Sequence, residues 1–498
     1  MATRYDKLLV VHSGALRRKY GADGTARVRD ALAALVAADQ GHHLVSHVLD
    51  LDNASTMRAL KLPRVPDGSW TAALTAVDAA AERYQPAYLA LVGATDVIPQ
   101  ARLRNPLAGS DDDPYVPSDL PYACDLPDTF TGTGTTLLDP GTLLAVTRVV
   151  GRIPDVVGAT DPADLLTLLA VAATYEPRPA TAYQKVFALS AAVWRGSTTA
   201  SVDALPGPAP TTRLSPTAKS PWTKTTLAPL SHFVNCHGGD FTPDWYGQQS
   251  AAPVDTVALR PEDVDGRVAA GTVVVAECCY GAMHQDPTHQ NGRLPMLWAY
   301  LRSGAYAAVG ASTTAYGPAN GNGQADLLCR YALEGVMTGS STGRALLDAR
   351  QRYIREIAAM GPEDLKTVAQ FDLLGDPSVV PVITPGRVVV GGKGVPQASL
   401  TQRRAVLRAT GRVLDRTVPR SSATPARTSG VSAEVLVREA GLPAHAVAGP
   451  VRTYAERRGH PRVGFRFHVA PVEVDGRTGL VVAREADGQR GTTAIWRR

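Results

Sequence analysis

A mostly parallel α/β sheet flanked by helices, followed by a small α+β domain, is the fold this sequence predicts. Three observations predict it. Apolar runs such as Lys7-Leu-Leu-Val-Val-His12, Tyr88-Leu-Ala-Leu-Val-Gly93 and Thr272-Val-Val-Val-Ala-Glu277 lack alternation, as strands buried on both faces do. Helical spacing fills the intervals, as at Val28, Leu32, Leu35 and Val36. The alternation of the two patterns continues to about residue 385, which argues for crossover connections and parallel pairing.

Taken in order, strands are expected at 7–12 and 43–49 with a helix over 25–39 between them. A helix near 71–84 leads to the strand 87–92. Residues 105–140, rich in Asp, Pro, Gly and Thr, read as a long functional or lid-like loop region. The strand 143–150, a helix near 162–175 and the strand 185–192 follow, then the poorly patterned Ser/Thr/Pro-rich stretch 195–224. Two strands, 231–236 and 272–277, come next. A helix near 294–303, the strand 305–310 and helices near 323–338 and 341–359 complete a body of residues 1–385, divisible at about 180 into two α/β subdomains. Residues 386–430 read as a basic linker. It holds a candidate helix, 401–418, with Arg403, Arg404, Arg408, Arg412 and Arg416, and an exposed stretch, 419–430. The final domain, 431–498, should carry helices near 431–440 and 450–458 and strands near 463–472 and 478–484, turned at Asp475-Gly476.

Of 498 residues, 44% are hydrophobic and 19% charged, which is enough apolar content for a large core. The start, Met-Ala-Thr-Arg-Tyr-Asp-Lys, has no apolar leader pattern, and no run approaches a membrane span, so a cytoplasmic protein is expected. Five cysteines in this length do not make a disulfide framework. Charge is uneven. Residues 386–498 carry 20 Lys+Arg against 8 Asp+Glu, whereas the whole chain has 51 against 46. A basic tail on an acidic body suits an acidic protein or a nucleic acid, or is simply a soluble arginine-rich appendage.

The chemistry concentrates at two strand ends. Ser231-His-Phe-Val-Asn-Cys-His237-Gly238-Gly239 and Val273-Val-Val-Ala-Glu-Cys278-Cys279-Tyr-Gly281 each finish in reactive side chains and a glycine turn. In an open parallel sheet, ligands gather at the carboxyl ends of the strands. If the two strands are neighbours, an imidazole and a thiol meet there, as nucleophilic catalysis requires. Zinc is the rival: Cys236, His237, Cys278, Cys279, His284 and His289 are suitable ligands. Their spacing opposes it, because adjacent pairs do not converge on one ion, and His284 and His289 read as an exposed loop. No metal or cofactor is expected; there is no dinucleotide fingerprint and no phosphate-binding glycine loop.

This layout resembles the clan of cysteine peptidases that includes caspases, legumain, separase and the gingipains. Within it, several segments are similar to gingipain (family C25-type) landmarks over residues 5–382. They are Tyr88–Gly93 closing with Asp96-Val-Ile-Pro99, Ser118-Asp119-Leu-Pro-Tyr122, Val150-Gly-Arg152-Ile-Pro154, Trp245 with Gly247, and Phe371-Asp-Leu-Leu-Gly-Asp376-Pro377. The resemblance implies a caspase/gingipain-like fold and a cysteine endopeptidase acting through a thioester acyl-enzyme on protein or peptide substrates. It implies His237 as general base and acid, with Gly238 and Cys278 backbone N–H groups as the oxyanion hole. The spacing Cys-x-x-Gly of gingipains and legumain favours Cys278 as nucleophile; the Cys-x-Gly of caspases favours Cys279. Cys278 is the preferred reading. The glutamate that orients the histidine in some gingipains has no counterpart in Ser190–Arg195, so a dyad is expected. Trp245 and Asp203 are candidates for the substrate pocket, Asp203 standing near the acid some relatives carry. Limited, regulatory cleavage follows from an unshielded cytosolic protease. If it cuts after basic residues, Arg420 and Arg427 are candidates for self-cleavage. A catalytically silent scaffold with a recruiting basic tail is the alternative.

Overall fold

The computed structural model describes residues 4–126, 130, 137–216, 222–249, 256–357, 359–383, 430–455, 465–486 and 489–498. The expected helix at 401–418, almost all of the 419–430 stretch, and Arg420 and Arg427 lie outside the described residues.

Ten strands form one sheet. From one edge they run Ser46–Asp50, Lys7–Val11, Tyr88–Val92, Val149–Ile153, Phe371–Leu374, Ala307–Ala311, Val273–Ala276, Ser231–Asn235, Val186–Ala191 and Arg213–Ser215. Every neighbouring pair is parallel except Ala307–Ala311 with Phe371–Leu374. The sheet is therefore two parallel halves of opposite direction, seamed where Val309 faces Leu373. Its central strands are buried throughout. That burial is why the sequence runs Val-Val-Val-Ala rather than alternating. Helices cover the faces; Trp70–Tyr84, Gln324–Met337 and Thr342–Glu356 are among them. This is the expected mostly parallel α/β sheet flanked by helices.

The family landmarks meet in the first half of the sheet. Arg152, fully buried, makes a two-pronged ion pair with Asp119, at 2.8 and 2.6 Å, and donates to the Gly93 and Ile98 carbonyls. Asp372 accepts from the Asp119 N–H at 3.2 Å and from Gln100 at 2.7 Å. Lys7, also fully buried, pairs with Asp376 at 2.5 Å and Asp39 at 2.9 Å. These landmarks tie loops to the sheet.

Three expectations change. Residues 105–126 are no lid: Asn105, Ser110, Asp113, Ser118 and Asp119 are buried, and Lys366 holds Asp111 and Asp113. A helix, Arg195–Val202, occupies part of the stretch that read as unpatterned. In the tail, the helix Ala433–Glu439 and the hairpin Phe465–Val474/Arg477–Ala486 form as expected, but Arg452–Ala455 is a strand, not a helix. A further strand, Gln489–Arg497, follows. It pairs on one side with Arg477–Ala486 and on the other with Tyr316–Gly317 of the body. The tail sheet is thus completed by the body. Arg484 reaches Glu363 at 2.5 Å and Asp364 at 2.7 Å, and Tyr454 meets Ser110 at 3.2 Å. Arg490 pairs with Glu439 inside the tail. Arg484, Arg490 and Arg498 are thus engaged within the molecule, so they do not form an open basic surface.

Candidate active site

The histidine and cysteine strands are neighbours. Val234 lies beside Ala276 in parallel register. Three residues further on, His237 and Cys279 leave the sheet at the same level, while Cys236 and Cys278 fall level one step earlier. The strand ends at Ala276, and in the turn that follows the two cysteines have different neighbours, Cys236 beside Cys278 and Ala315 beside Cys279.

Cys278 faces the interior. It is fully buried, and burial, then the neighbouring Cys236 thiol, pushes its pKa well above the ordinary thiol range; a backbone hydrogen bond at Cys236 opposes this. Cys279 is buried too, and burial raises it, but its surroundings are different. The Ala315 N–H donates to its Sγ at 3.2 Å, and both that contact and the Arg497 charge favour the thiolate. Cys279 sits on a tight turn: Gly281 N–H returns to the Cys278 carbonyl at 3.2 Å, and Tyr280 adopts φ 57°. A left-handed tyrosine is strained and persists only where its surroundings hold it. Here its hydroxyl donates to Asp113 at 2.8 Å.

His237 is partly exposed in the short strand His237–Gly239. Its Nε2 meets Gln248 Oε1 at 2.9 Å, and its ring packs against Trp194 with centroids 4.2 Å apart. An amide oxygen thus lies against the ring, where no acid was found at Ser190–Arg195. It holds Nε2 as the N–H and leaves Nδ1 with no hydrogen bond among the described residues. The pKa of His237 is lowered to about 4, chiefly by burial, with the Arg498, Arg477 and Arg497 charges adding to it and Gln248 opposing. Gly238 is pressed against Cys279: a Cβ there would collide with the Cys279 carbonyl oxygen, so only glycine permits the approach.

Arg498 fills the space beside this pair. Its side chain is fully buried. Its guanidinium meets Asp326 at 2.9 Å, Glu277 at 3.6 Å and the Pro318 carbonyl at 2.9 Å, and lies 4.7 Å from the Trp194 ring centroid. Its backbone N–H donates to the Ala315 carbonyl at 3.0 Å, and its carbonyl accepts from the Cys279 N–H at 3.2 Å. Burial and then Asp326 hold Glu277 well above the usual carboxylate range; burial raises Asp326 as well, and Arg498 opposes both shifts. Two buried acids without a cation cannot both ionise cheaply, and Arg498 supplies the positive charge beside them.

The other expected pocket residues lie elsewhere. Trp245 is buried beneath the site, with its ring edge toward Gly281. Asp203 is exposed at the end of the helix Arg195–Val202. The exposed loop expected around His284 and His289 holds for His289 alone: His284 packs edge-on to Trp298 with both ring nitrogens out of solvent. Among the described residues no group of three or more His, Cys, Asp or Glu could hold a metal ion. Sequence reasoning missed Glu277, Asp326, Trp194, Gln248 and Arg498. Glu277 had a signal, since it stands two residues before Cys279 and alternation puts it on the same side. The others carry none, because they are far apart in sequence.

The family model for peptidase family C25 matches residues 71–382, more than half of the chain. The chain belongs to peptidase family C25. It is therefore a cysteine peptidase, a hydrolase whose substrates are proteins or peptides. No curated protein matches it. A solved structure described as a protease aligns over 99% of this chain and 97% of its own, at 14% identity and a TM-score of 0.42. The Saccharomyces cerevisiae separase–securin complex aligns over 47% of this chain and 14% of its own, at 12% identity and a TM-score of 0.29. This C25 peptidase has no described helix long and apolar enough to cross a membrane.

Proposed function

We propose that this C25 peptidase is an endopeptidase that cuts after arginine, with Cys279 as nucleophile and His237 as its proton-transfer partner. The position of Arg498 carries the reading. A single arginine places its guanidinium between Glu277 and Asp326 while its carbonyl rests on the Cys279 N–H. That is how a substrate residue preceding the cut would lie.

The chemistry follows. His237 takes the Cys279 thiol proton as the sulfur attacks the carbonyl carbon, and the oxygen takes the charge at the Cys279 N–H, with the Gly238 backbone as the second donor. His237, fixed through Nε2 by Gln248, gives a proton to the leaving amine as the C–N bond breaks. Water then hydrolyses the thioester, releasing the carboxylate and restoring the thiol and imidazole. Trp194 covers the guanidinium as a cation–π face. The Cys-x-x-Gly spacing favours Cys278, but a thiol turned into the core beside Cys236 is poorly suited to attack. A narrow, charge-selected pocket supports limited, regulatory cleavage, and a cytoplasmic setting suits five unpaired thiols.

Cys279→Ala should lower kcat/KM on arginine-containing fluorogenic peptides by about 10³-fold or more, roughly 4 kcal/mol. Cys278→Ala should retain activity within about tenfold. Peptide mapping after labelling with an arginyl acyloxymethyl ketone should place the adduct on Cys279. An adduct on Cys278 would restore the spacing-based assignment, and no adduct even in the Arg498→Ala form would favour the silent scaffold.

A further inference from the structure

We infer that the tail module, residues 433–498, is a built-in inhibitor: its strand Gln489–Arg497 and Arg498 occupy the substrate cleft, and the enzyme works only when that strand is released. The inference rests on the arginine reading of the site and adds a closed state to it.

The strand sits as a substrate would. Gln489–Arg497 runs antiparallel to Tyr316–Gly317, with Arg497 opposite Tyr316 and Trp496 opposite Gly317. Extended peptides dock in this way, by pairing their backbone with an extended segment of the host. Ala315 and Cys279 extend the ladder by one bond each to the N–H and carbonyl of Arg498. No space is left beside it: a Cβ on Gly317 would strike the Arg498 guanidinium. An incoming arginine therefore cannot reach Asp326 and Glu277 while Arg498 is there.

The docking is extensive. Ala191 and Trp194 of the body share an apolar cluster with Leu436, Val437, Ala470 and Trp496 of the module. Leu107 and Tyr316 share another with Phe467, Leu480 and Ile495. Arg484 clamps the outer side of the module to Glu363 and Asp364, away from the cleft. Apart from the two-residue strand of the body, the module makes its own sheet and carries its own helix. It can therefore leave as a unit at the cost of these contacts. Closure also acts on the catalytic groups, since the module's Arg477, Arg497 and Arg498 all push His237 away from its protonated form.

The test uses the full chain in three forms: unaltered, Arg498→Ala, which empties the subsite, and Arg484→Ala, which loosens the clamp without touching the cleft. Each is reacted with an arginyl acyloxymethyl ketone and assayed on an arginine fluorogenic peptide. Amide hydrogen exchange over 316–317 and 489–498 is followed in parallel, and thermal melts verify that each variant is folded. Both variants should label at least tenfold faster than the unaltered chain, with faster exchange in the strand. If the unaltered chain labels as fast as the variants while its strand stays protected, the strand is a permanent part of the enzyme and inhibition is refuted; the arginine reading survives. If no form labels or turns over, the arginine reading fails and the inhibitor falls with it.

Discussion

The two halves of the sheet both bury charge, and they do so in opposite ways. In the first half, Arg152, Asp119 and Asp372 interlock with Gln100 and four backbone groups, and Lys7 is held by Asp39, Asp376 and Ser378. Every partner belongs to the body. In the second half, Glu277 and Asp326 are equally buried, yet among the described residues their one ion-pair partner is Arg498, brought by the tail. A buried charge with resident partners anchors a fold. On the proposed reading, buried acids whose cation comes from the tail mark a binding site. Much of the family resemblance rests on the first kind of charge, which is why it shows membership of C25 more readily than it shows specificity.

The comparison breaks most readily at Arg152. Asp119→Ala should destabilise the protein by about 3–5 kcal/mol, because it strands a buried guanidinium. Urea denaturation would measure this. A loss under 1 kcal/mol would mean that water or relaxation replaces the partner, and the anchor reading would fail. The second half should respond in function instead. Asp326→Asn keeps the cap on the helix Gln324–Met337 but removes the charge nearest the guanidinium. It should lower kcat/KM for arginine peptides by about 100-fold, close to 2.7 kcal/mol, with a small change in Tm. Glu277→Gln, at the longer contact, should cost less. A general collapse of stability in either variant would place these acids with the anchors.

The smallest effect concerns pH. His232, buried on the site strand Ser231–Asn235 and bonded to Tyr300 and the Pro229 carbonyl, has its pKa lowered to about 4, chiefly by burial. A depressed histidine takes up its proton more readily in the unfolded chain, so folding is weakened as pH falls below about 6.5 and through 4. Between pH 7 and pH 5 this group should remove about 2 kcal/mol of stability. His232→Gln should flatten that part of the stability profile, as urea titrations at several pH values would reveal. An unchanged slope would mean that His232 is not the titrating group.

How much was legible in the sequence differs by element. The strands at 7–11, 88–92, 231–235 and 273–276 were readable because burial on both faces leaves an unbroken apolar run. His237 and the cysteine pair were readable because each ends such a run. The strand Gln489–Arg497 was not. Gln-Arg-Gly-Thr-Thr-Ala-Ile-Trp-Arg has little hydrophobic pattern, and its stability comes from two flanking partners rather than from its own residues.

By itself, then, the sequence determined a mostly parallel α/β sheet, a likeness to a cysteine peptidase family and the two strand ends that carry His237 and the cysteine pair. Each is assembled from short local patterns, a buried run or a motif of a few adjacent residues. Only the tertiary structure decided which way each cysteine turns, that Asp326 joins Glu277, and that Arg498 lies between them. Those choices depend on strand register and on contacts spanning more than 170 residues, as between Asp326 and Arg498. Such distances leave no periodic trace in a chain, because folding brings the partners together without requiring any pattern between them.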